Sequence, residues 1–228
     1  VIDTLAHSEK PCTVCFLGAD APSLPNNVSF ARTLKAAAEL ATGRSSKNKR
    51  PEFKPIIPHV PPGRQCIHGL FCGGTLSSEA QVVFLDQGVS VASNAPIPGA
   101  EAVGSGTSHV LIDLGSDEYT RGRPHPMIDP TVRDEELTKA LADPTLAVIL
   151  LDVVIGFGAH PDPAGTIVRV VAAAGTERPI VVASVTGTDD DPQDRRTQMA
   201  KLVDGGIVVA PTNADAATLA LSCLVRDD

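Results

Sequence analysis

The feature that most constrains the fold of this chain is a strand–loop–helix unit that repeats five times after residue 66. Each unit begins with a short apolar run, continues through a loop and ends in a helical pattern. The apolar runs are nearly continuous, which is typical of strands covered on both faces in a parallel sheet. The runs span residues 67–72, 109–115, 146–154, 179–186 and 207–210, and the helical patterns span residues 75–87, 130–142, 163–174, 192–203 and 214–225.

Five such units in succession predict an α/β fold in which a five-stranded, doubly wound parallel sheet occupies residues 67–228. Three of the helices are predicted to begin at an Asp-Pro pair. An Asp at the N-cap accepts hydrogen bonds from free backbone amides, and Pro at the first helical position loses no needed donor. The three pairs are Asp129-Pro130, Asp162-Pro163 and Asp191-Pro192.

The first 66 residues follow a different pattern. Residues 13–18 predict one further strand and residues 27–42 one helix, which are too few elements to form a core. We therefore interpret residues 1–42 as the last strand and helix of a preceding domain, and the chain as the C-terminal portion of a longer protein. Residues 43–66 carry six basic side chains, one acid and five prolines, which predicts a linker, with a nucleic-acid patch as the alternative.

Composition excludes several classes of partner and site. The chain has 27 Asp and Glu against 19 Lys and Arg, and a net charge of −8 argues against nucleic acid, since phosphate binding needs a cationic surface. The chain has no apolar stretch near the ~20 residues that a bilayer needs and no signal peptide, which predicts no membrane association. Five cysteines without a framework spacing indicate reduced thiols and the cytoplasm. Cys12 and Cys15 have CxxC spacing but no companion ligands, so no metal site is predicted.

The loop after the first predicted strand is the strongest candidate for an anion site. Cys72, Gly73, Gly74 and Thr75 lead straight into a helix that has no acid at its cap, unlike the three Asp-Pro starts. A free helix N-terminus attracts anions through its amides and its dipole. The alternative is a plain tight turn capped by Thr75. Cys72 is interpreted as a small structural residue, with a low-pKa nucleophile as the alternative.

The second loop is the densest polar stretch of the chain. Arg121, Arg123 and His125 are expected to converge there with Asp117 and Glu118. Arginine offers a planar fork that suits a carboxylate or a phosphate, so the loop predicts a small anionic substrate. The alternative is that the two arginines only pair with the neighbouring acids.

The third loop offers Gly156, Gly158 and His160, and the histidine can act as a general acid–base or as a phosphate carrier. A surface histidine beside a helix cap is the simpler interpretation.

The fourth loop offers Thr186, Gly187 and Thr188 as binding residues and continues into three consecutive acids. These acids leave Mg²⁺ binding open beside a role in capping and solvation.

Four segments of the chain together resemble the FdrA family, which is related to the α chain of succinyl-CoA synthetase. A further stretch, KPCTVCFLGADAP (10–22), resembles the segment before the last domain of that family. The resemblance covers essentially the whole chain and implies a flavodoxin-like ligase domain. The four segments are GGTLSSEA (73–80), HVLIDLGSDEYTRGRPHPMIDPTVR (109–133), LLDVVIGFGAHPDPAG (150–165) and VTGTDDDPQ (185–193).

The resemblance implies phosphate binding at GGTLSSEA and chemistry that uses CoA, ATP or carbamoyl phosphate, with partner subunits or a homodimer. In the synthetases a loop histidine is phosphorylated, but residues 185–206 contain no histidine, and His160 lies one loop earlier. Three functions are therefore open: an acyl-CoA synthetase-like ligase, a carbamoyltransferase subunit of the oxamate type, and a non-catalytic module that docks to other subunits. A carbamoyltransferase needs anion clamps but no phosphohistidine.

Overall fold

The computed structural model of the chain describes residues 1–44 and 60–224. The N-terminal unit consists of a short helix α1 (Ile2–Ala6), a parallel pair of strands β1 (Cys12–Cys15) and β2 (Val28–Ala31), and a helix α2 (Leu34–Thr42). The predicted helix at residues 27–42 is therefore wrong in its first part. Residues 28–31 pair with β1, and Thr33 starts the helix by accepting the amide hydrogen of Ala36.

The main sheet contains seven parallel strands, which confirms the predicted α/β class. The five predicted strands lie together in the order 2-1-3-4-5, which is the flavodoxin-like order. Two further strands of two residues each extend one edge, and their sequences carry no apolar run that predicts them. In chain order the strands are β3 (Cys66–Phe71), β4 (Ala92–Ser93), β5 (Glu101–Ala102), β6 (Val110–Asp113), β7 (Leu146–Val154), β8 (Ile180–Thr186) and β9 (Val208–Ala210), and across the sheet they are ordered β5-β4-β6-β3-β7-β8-β9.

Helices cover both faces of this sheet, as in a doubly wound fold. The first and last of the large helices pack on one face around Phe71, Phe84 and Leu150, and three others pack on the opposite face around Leu137, Leu151 and Ile167. The helices are α3 (Gly74–Asp86), α4 (Asp117–Thr120), α5 (Thr131–Ala142), α6 (Pro163–Ala173), α7 (Arg195–Asp204) and α8 (Asn213–Ser222).

The three Asp-Pro pairs play different roles at the helix starts. Asp162 caps α6 by accepting the amide hydrogen of Gly165, as predicted. Asp129 accepts the amide hydrogen of Thr131 in the first turn of α5. The prediction for Asp191 is wrong, because α7 begins three residues later with Asp194 as its cap.

A buried carboxylate on α3 attaches the N-terminal unit to the main sheet. Glu79 is 2% exposed, and its Oε1 accepts the amide hydrogens of Leu34 and Lys35 at 2.7 and 3.3 Å. Its other oxygen accepts a hydrogen bond from Asn213 of α8. The first turn of α2 is therefore capped from the neighbouring layer. The predicted linker at residues 43–66 lies largely outside the described residues.

Arg64, at the described end of that linker, is bound to the main sheet by hydrogen bonds. The Arg64 guanidinium donates to the backbone carbonyls of Asp143 and Leu146, both at 2.8 Å. This contact places the start of β3 beside the start of β7.

Candidate functional site

The strand order creates a crevice between β3 and β7. These strands are neighbours in the sheet, but α3 leaves β3 toward one face and α6 leaves β7 toward the other. Ligands of doubly wound proteins bind at such a switch point, beyond the carboxyl ends of the strands. The loops at residues 72–75 and 155–162 therefore border the candidate site.

The helix that leaves β3 has an N-terminus without a side-chain cap. Gly73 is the N-cap of α3, and no side chain among the described residues accepts a hydrogen bond from the amides of Gly74 or Thr75. The helices α6, α7 and α8 are each capped by a side chain instead. Thr75 is exposed, and the predicted alternative of a turn capped by its hydroxyl is not seen.

An acid that the sequence analysis missed lies beside this turn. Asp113 ends β6 and is 8% exposed, and a β-carbon at Gly74 would lie 3.0 Å from its Oδ2. Its other oxygen, Oδ1, accepts the amide hydrogen of Gly115 at 2.8 Å. The Asn94 side chain donates to the backbone carbonyl of Asp113 and accepts its amide hydrogen. The cap of α3 carries no acid, as predicted, but the neighbouring strand places one beside the first turn of the helix.

His125 lies over the same turn. A β-carbon at Gly115 would lie 2.8 Å from Nε2 of His125 and 2.7 Å from the carbonyl oxygen of Cys72. Glycine at position 115 thus permits a close approach of the second loop to the end of β3. The Nδ1 atom of His125 accepts the amide hydrogen of Met127, so Nε2 is the nitrogen that faces the turn.

A buried cation lies directly beneath the turn. Arg133 of α5 is 1% exposed, and its guanidinium donates to Cys72 Sγ at 3.3 Å, to the backbone carbonyl of Asp152 at 3.4 Å and to Thr166 at 3.4 Å. These three acceptors are not carboxylates, and no ion pair of Arg133 is seen among the described residues. A buried charge without a direct ion pair is costly, so an incoming anion at the turn would stabilise Arg133.

A buried acid completes the cluster from β7. Asp152 is 1% exposed, and its Oδ1 accepts the amide hydrogen of Cys72 at 2.8 Å. Its Oδ2 and the hydroxyl of Ser184, its register partner on β8, have no hydrogen-bond partner among the described residues. Burial raises the pKa of Asp152 to about 6, although the Cys72 amide and Arg133 oppose this shift.

The environment of Cys72 disfavours ionisation of its thiol. Burial, together with the charge of Asp152, raises the pKa of the Cys72 thiol to about 12. A thiol with so high a pKa is not ionised near neutral pH and is a poor nucleophile. Its burial and its raised pKa favour the interpretation of Cys72 as a small structural residue over that of a nucleophile.

The arginines of the second loop do not converge on the turn. Arg123 pairs with Glu135 of α5 at 3.6 Å, and both side chains are more than half exposed. Arg121 is exposed. The expected pairing partners Asp117 and Glu118 are replaced by an acid of the next helix. The cleft of about 320 Å³ at this place is lined by Arg123, Pro124, Asp129, Thr131, Val132 and Glu135.

His160 faces the α5 side rather than the first turn of α3. Its Nδ1 accepts the amide hydrogen of Asp162 at 3.1 Å. The ring lies near Asp129 and Asp134: it contributes to the lowered pKa of Asp129, and it opposes the rise that burial causes in the pKa of Asp134. The third loop is tied down by Gln193, whose amide group bonds both the N–H and the carbonyl of Gly156. At its tip the loop carries a fully exposed Phe157 beside Gly158.

Both hydrogen-bond donors of Thr188 in the fourth loop are used within the loop itself. The amide and the hydroxyl of Thr188 both donate to Asp191, at 2.6 and 2.9 Å. A side chain at Gly187 would collide with Ile155, and Thr186 lies at the exposed end of β8. Neither donor of Thr188 is open to a ligand in this arrangement.

Of the predicted site residues, the structure brings together Gly73, Gly74, Thr75 and His125. It separates Arg121, Arg123 and His160 from them, and their proposed roles stay predictions. The structure adds three residues to which the sequence assigned no role. The three are Asp113, Arg133 and Asp152.

The described residues contain no cluster of three or more His, Cys, Asp or Glu side chains arranged to hold a metal ion. Within the same residues, no helix has the length and apolar character needed to cross a membrane.

Comparison with solved structures finds proteins of low sequence identity. The dinucleotide-forming acetyl-coenzyme A synthetase 1 of Ca. Korarchaeum cryptofilum is 18% identical, with a TM-score of 0.49, over 86% of this chain and 38% of that one. PH0766 of Pyrococcus horikoshii OT3 is 16% identical, with a TM-score of 0.48, over 73% of this chain and 36% of that one.

Comparison at the sequence level is more decisive. The uncharacterized protein YahF of Escherichia coli (strain K12) is 34% identical over 247 residues, which cover 100% of this chain and 48% of YahF. The chain therefore spans about half the length of this relative. The family model for CoA-ligase matches residues 70–223, which include α3, the crevice and every loop described above. The chain belongs to the CoA-ligase family.

Proposed function

We propose that this domain binds the phosphate group of a small anionic ligand at the first turn of α3 and takes part in acyl-CoA synthetase-like chemistry. The family supports a ligase-type role. The ligand classes that fit are an acyl phosphate, CoA and ATP, since each presents phosphate oxygens to backbone donors.

One observation carries this proposal: the uncapped start of α3 lies next to a buried guanidinium that makes no direct ion pair among the described residues. The amides of Gly74 and Thr75 have no side-chain acceptor, and Arg133 reaches the residue just before the turn. Free amides and a desolvated cation together favour negative charge more strongly than either does alone. Gly73 has open space beside its Cα, which lets the backbone approach the ligand closely.

The nearby side chains define what the chain contributes to a reaction. His125 can hold or donate a proton at Nε2, and Asp113 fixes the Gly115 turn against which the histidine lies. Residues 185–206 lack a histidine, and His160 faces α5, so the proposed role involves no covalent phosphate on this chain. The chain would bind and orient the anion. The group that reacts with the anion would come from residues or molecules outside these 228 residues.

We propose that this chain forms only part of a complete active site. YahF is about twice as long as this chain, and the remaining half of such a protein, a partner subunit or a second copy would complete the site. The absence of a loop histidine equally favours the second candidate, a carbamoyltransferase subunit that binds carbamoyl phosphate by the same turn.

The experiment replaces Gly73 by Asp. The new carboxylate would cap α3 as Asp162 caps α6, so the fold should be as stable as before or more so, while the anion loses its amides. The measurement is the shift of Tm with phosphate, acetyl phosphate, CoA, ATP and carbamoyl phosphate. A ligand at about a hundredfold excess over Kd should raise Tm of the wild-type chain by about 5 °C, and Gly73→Asp should abolish the shift.

The matched control is Ser90→Asp, which adds the same charge to an exposed residue before β4, at the opposite end of the strands. It should keep the full shift. A response to carbamoyl phosphate alone would favour the transferase. No response of the wild-type chain to any of the five compounds would contradict both enzymatic roles and leave the docking module.

A further inference from the structure

The buried carboxyl of Asp152 is only partly satisfied by hydrogen bonds among the described residues. Asp152 follows the alternation of β7, so its side chain lies on the α3 and α8 face with Leu150, while Leu151 and Val153 face the other side. Its Oδ1 is used by the Cys72 amide, but its Oδ2 is buried without a partner among the described residues. A buried carboxylate oxygen without a donor is costly in its charged form.

The position of this acid couples it to the anion turn. The amide that it accepts belongs to the last residue before Gly73, so the carboxyl lies next to the start of α3. An ionised Asp152 would repel an anion at this turn, and a protonated Asp152 would leave the positive charge of Arg133 uncompensated by this carboxyl. One proton on Asp152 therefore makes the charge next to the turn more positive by one unit.

The other charged groups around Asp152 do not replace this effect. Cys72 of β3 stays neutral because burial raises its thiol pKa to about 12, and β8 carries no titratable residue. From α3 and α8 the carboxyls of Glu79, Asp86 and Asp215 face the N-terminal unit, where they bind α2, Arg32 and Lys35. On the opposite face, α5 supplies Arg133.

Two further groups border the turn itself. Asp113 from β6 and His125 from the second loop lie next to Gly74 and Gly115. Both side chains lie close enough to act on a bound anion, and the experiment must separate them from Asp152.

We propose that Asp152 controls the affinity of the anion site, because its carboxyl takes up a proton from solvent when the anion binds at the turn. No bond other than the O–H of the carboxyl forms in this step. This inference rests on the proposed anion site. Because burial already raises the pKa of Asp152 to about 6, the uptake falls in the neutral range.

The direction of the effect follows from linkage. The bound anion raises the pKa of Asp152 further, so the complex holds more protons than the free protein, and affinity falls as pH rises through about 6. Sulfate is the suitable probe, since its charge is constant between pH 5 and pH 8. We expect the Kd of sulfate to rise by about tenfold over this range.

The test measures sulfate binding by calorimetry between pH 5 and pH 8 for the full 228-residue chain and three variants. Asp152→Asn keeps an oxygen for the Cys72 amide but cannot titrate, so its Kd should stay at the low-pH value of the wild type throughout. Asp113→Asn and His125→Gln should retain the pH dependence. A purely structural role of Asp152 would change stability and leave the pH profile of binding unaltered.

A second measurement needs no variant. Calorimetry of the wild-type chain at pH 6.5, in two buffers of different ionisation enthalpy, counts the protons taken up with sulfate, and we expect roughly half a proton or more. Binding without proton uptake, or a pH dependence that His125→Gln removes and Asp152→Asn keeps, overturns the inference and leaves the anion site intact. The absence of sulfate binding at every pH overturns the proposed function as well.

Discussion

The buried polar residues of the candidate site lie at or near the ends of adjacent strands. Cys72 follows β3, Asp113 ends β6 and Asp152 lies two residues before the end of β7. The Asp152 carboxyl accepts the Cys72 amide hydrogen, and the Asp113 carboxyl accepts that of Gly115. Arg133 reaches the same place from α5. The strands and α5 therefore supply buried groups, while the exposed Arg123 of the second loop pairs with the surface acid Glu135.

The thiol of Cys72 provides a prediction at this scale. In the native chain at pH 7.5, we expect iodoacetamide to leave Cys72 unmodified, because the thiol is 1% exposed and its pKa is raised to about 12. Mass spectrometry of the peptides measures the labelling, with the partly exposed Cys12 as internal comparison. Labelling of Cys72 should appear only in denaturant, and labelling as fast as that of Cys12 would contradict the structure.

Sequence reasoning succeeds at this scale only for local features. The turn at Gly73 and Gly74 is visible because its residues are consecutive, and a βα turn of this kind has few conformations. Asp113 and Asp152 acquire their roles from strands that are distant in the sequence, so strand order has to be known first. Asp152 stands in an apolar run, and a single buried acid in such a run is the signal that would have revealed it.

At the scale of elements, helix starts depend on the cap that the chain uses. The predicted boundaries of α3, α5, α6 and α8 lie within one residue of the observed starts. The start of α7 differs by three residues, because Asp191 turns back to bind Thr188 and leaves the capping to Asp194. Two acids in one loop compete for the same role, and a local sequence pattern does not decide between them.

The cap of α7 gives a prediction about stability. Asp194→Ala should lower the free energy of unfolding by about 1–2 kcal/mol, since it removes the acceptor of the Thr197 amide and keeps a β-carbon at a φ of 54°. Urea unfolding followed by circular dichroism measures the change. Asp190→Ala, in the same loop and exposed, should change stability by less than about 0.5 kcal/mol. Equal effects of the two substitutions would contradict the assignment of the cap.

At the scale of the whole molecule, the N-terminal unit is joined to the sheet by polar contacts. Glu79 caps α2, and two ion pairs, Arg32 with Asp86 and Lys35 with Asp215, flank it. Helix α2 has no buried residue of its own, so these contacts fix its place without a shared apolar core. Nothing local in the sequence connects residue 79 with residue 34, which is why a separate unit was the natural interpretation.

The docking by Glu79 is testable through hydrogen exchange. Glu79→Ala removes the acceptor for two amides of α2, and we expect exchange in α2 to become at least about tenfold faster, since a helix whose first amides lose their partner frays. Amides of β7 should keep their protection. The control is Glu135→Ala, which removes an exposed carboxyl from α5 and should leave α2 unchanged. Unchanged exchange in α2 of the first variant would show that Glu79 does not hold it.

The lengths of the strands in the main sheet have a consequence for assembly. The long strands lie in the middle, and the two borders are formed by β5 with two residues and β9 with three. So short a border exposes few unpaired amides and carbonyls, and such borders discourage a second polypeptide from adding itself as a further strand. Another subunit would then meet this domain through its loops and helices, and the sheet would not continue from one molecule into the next.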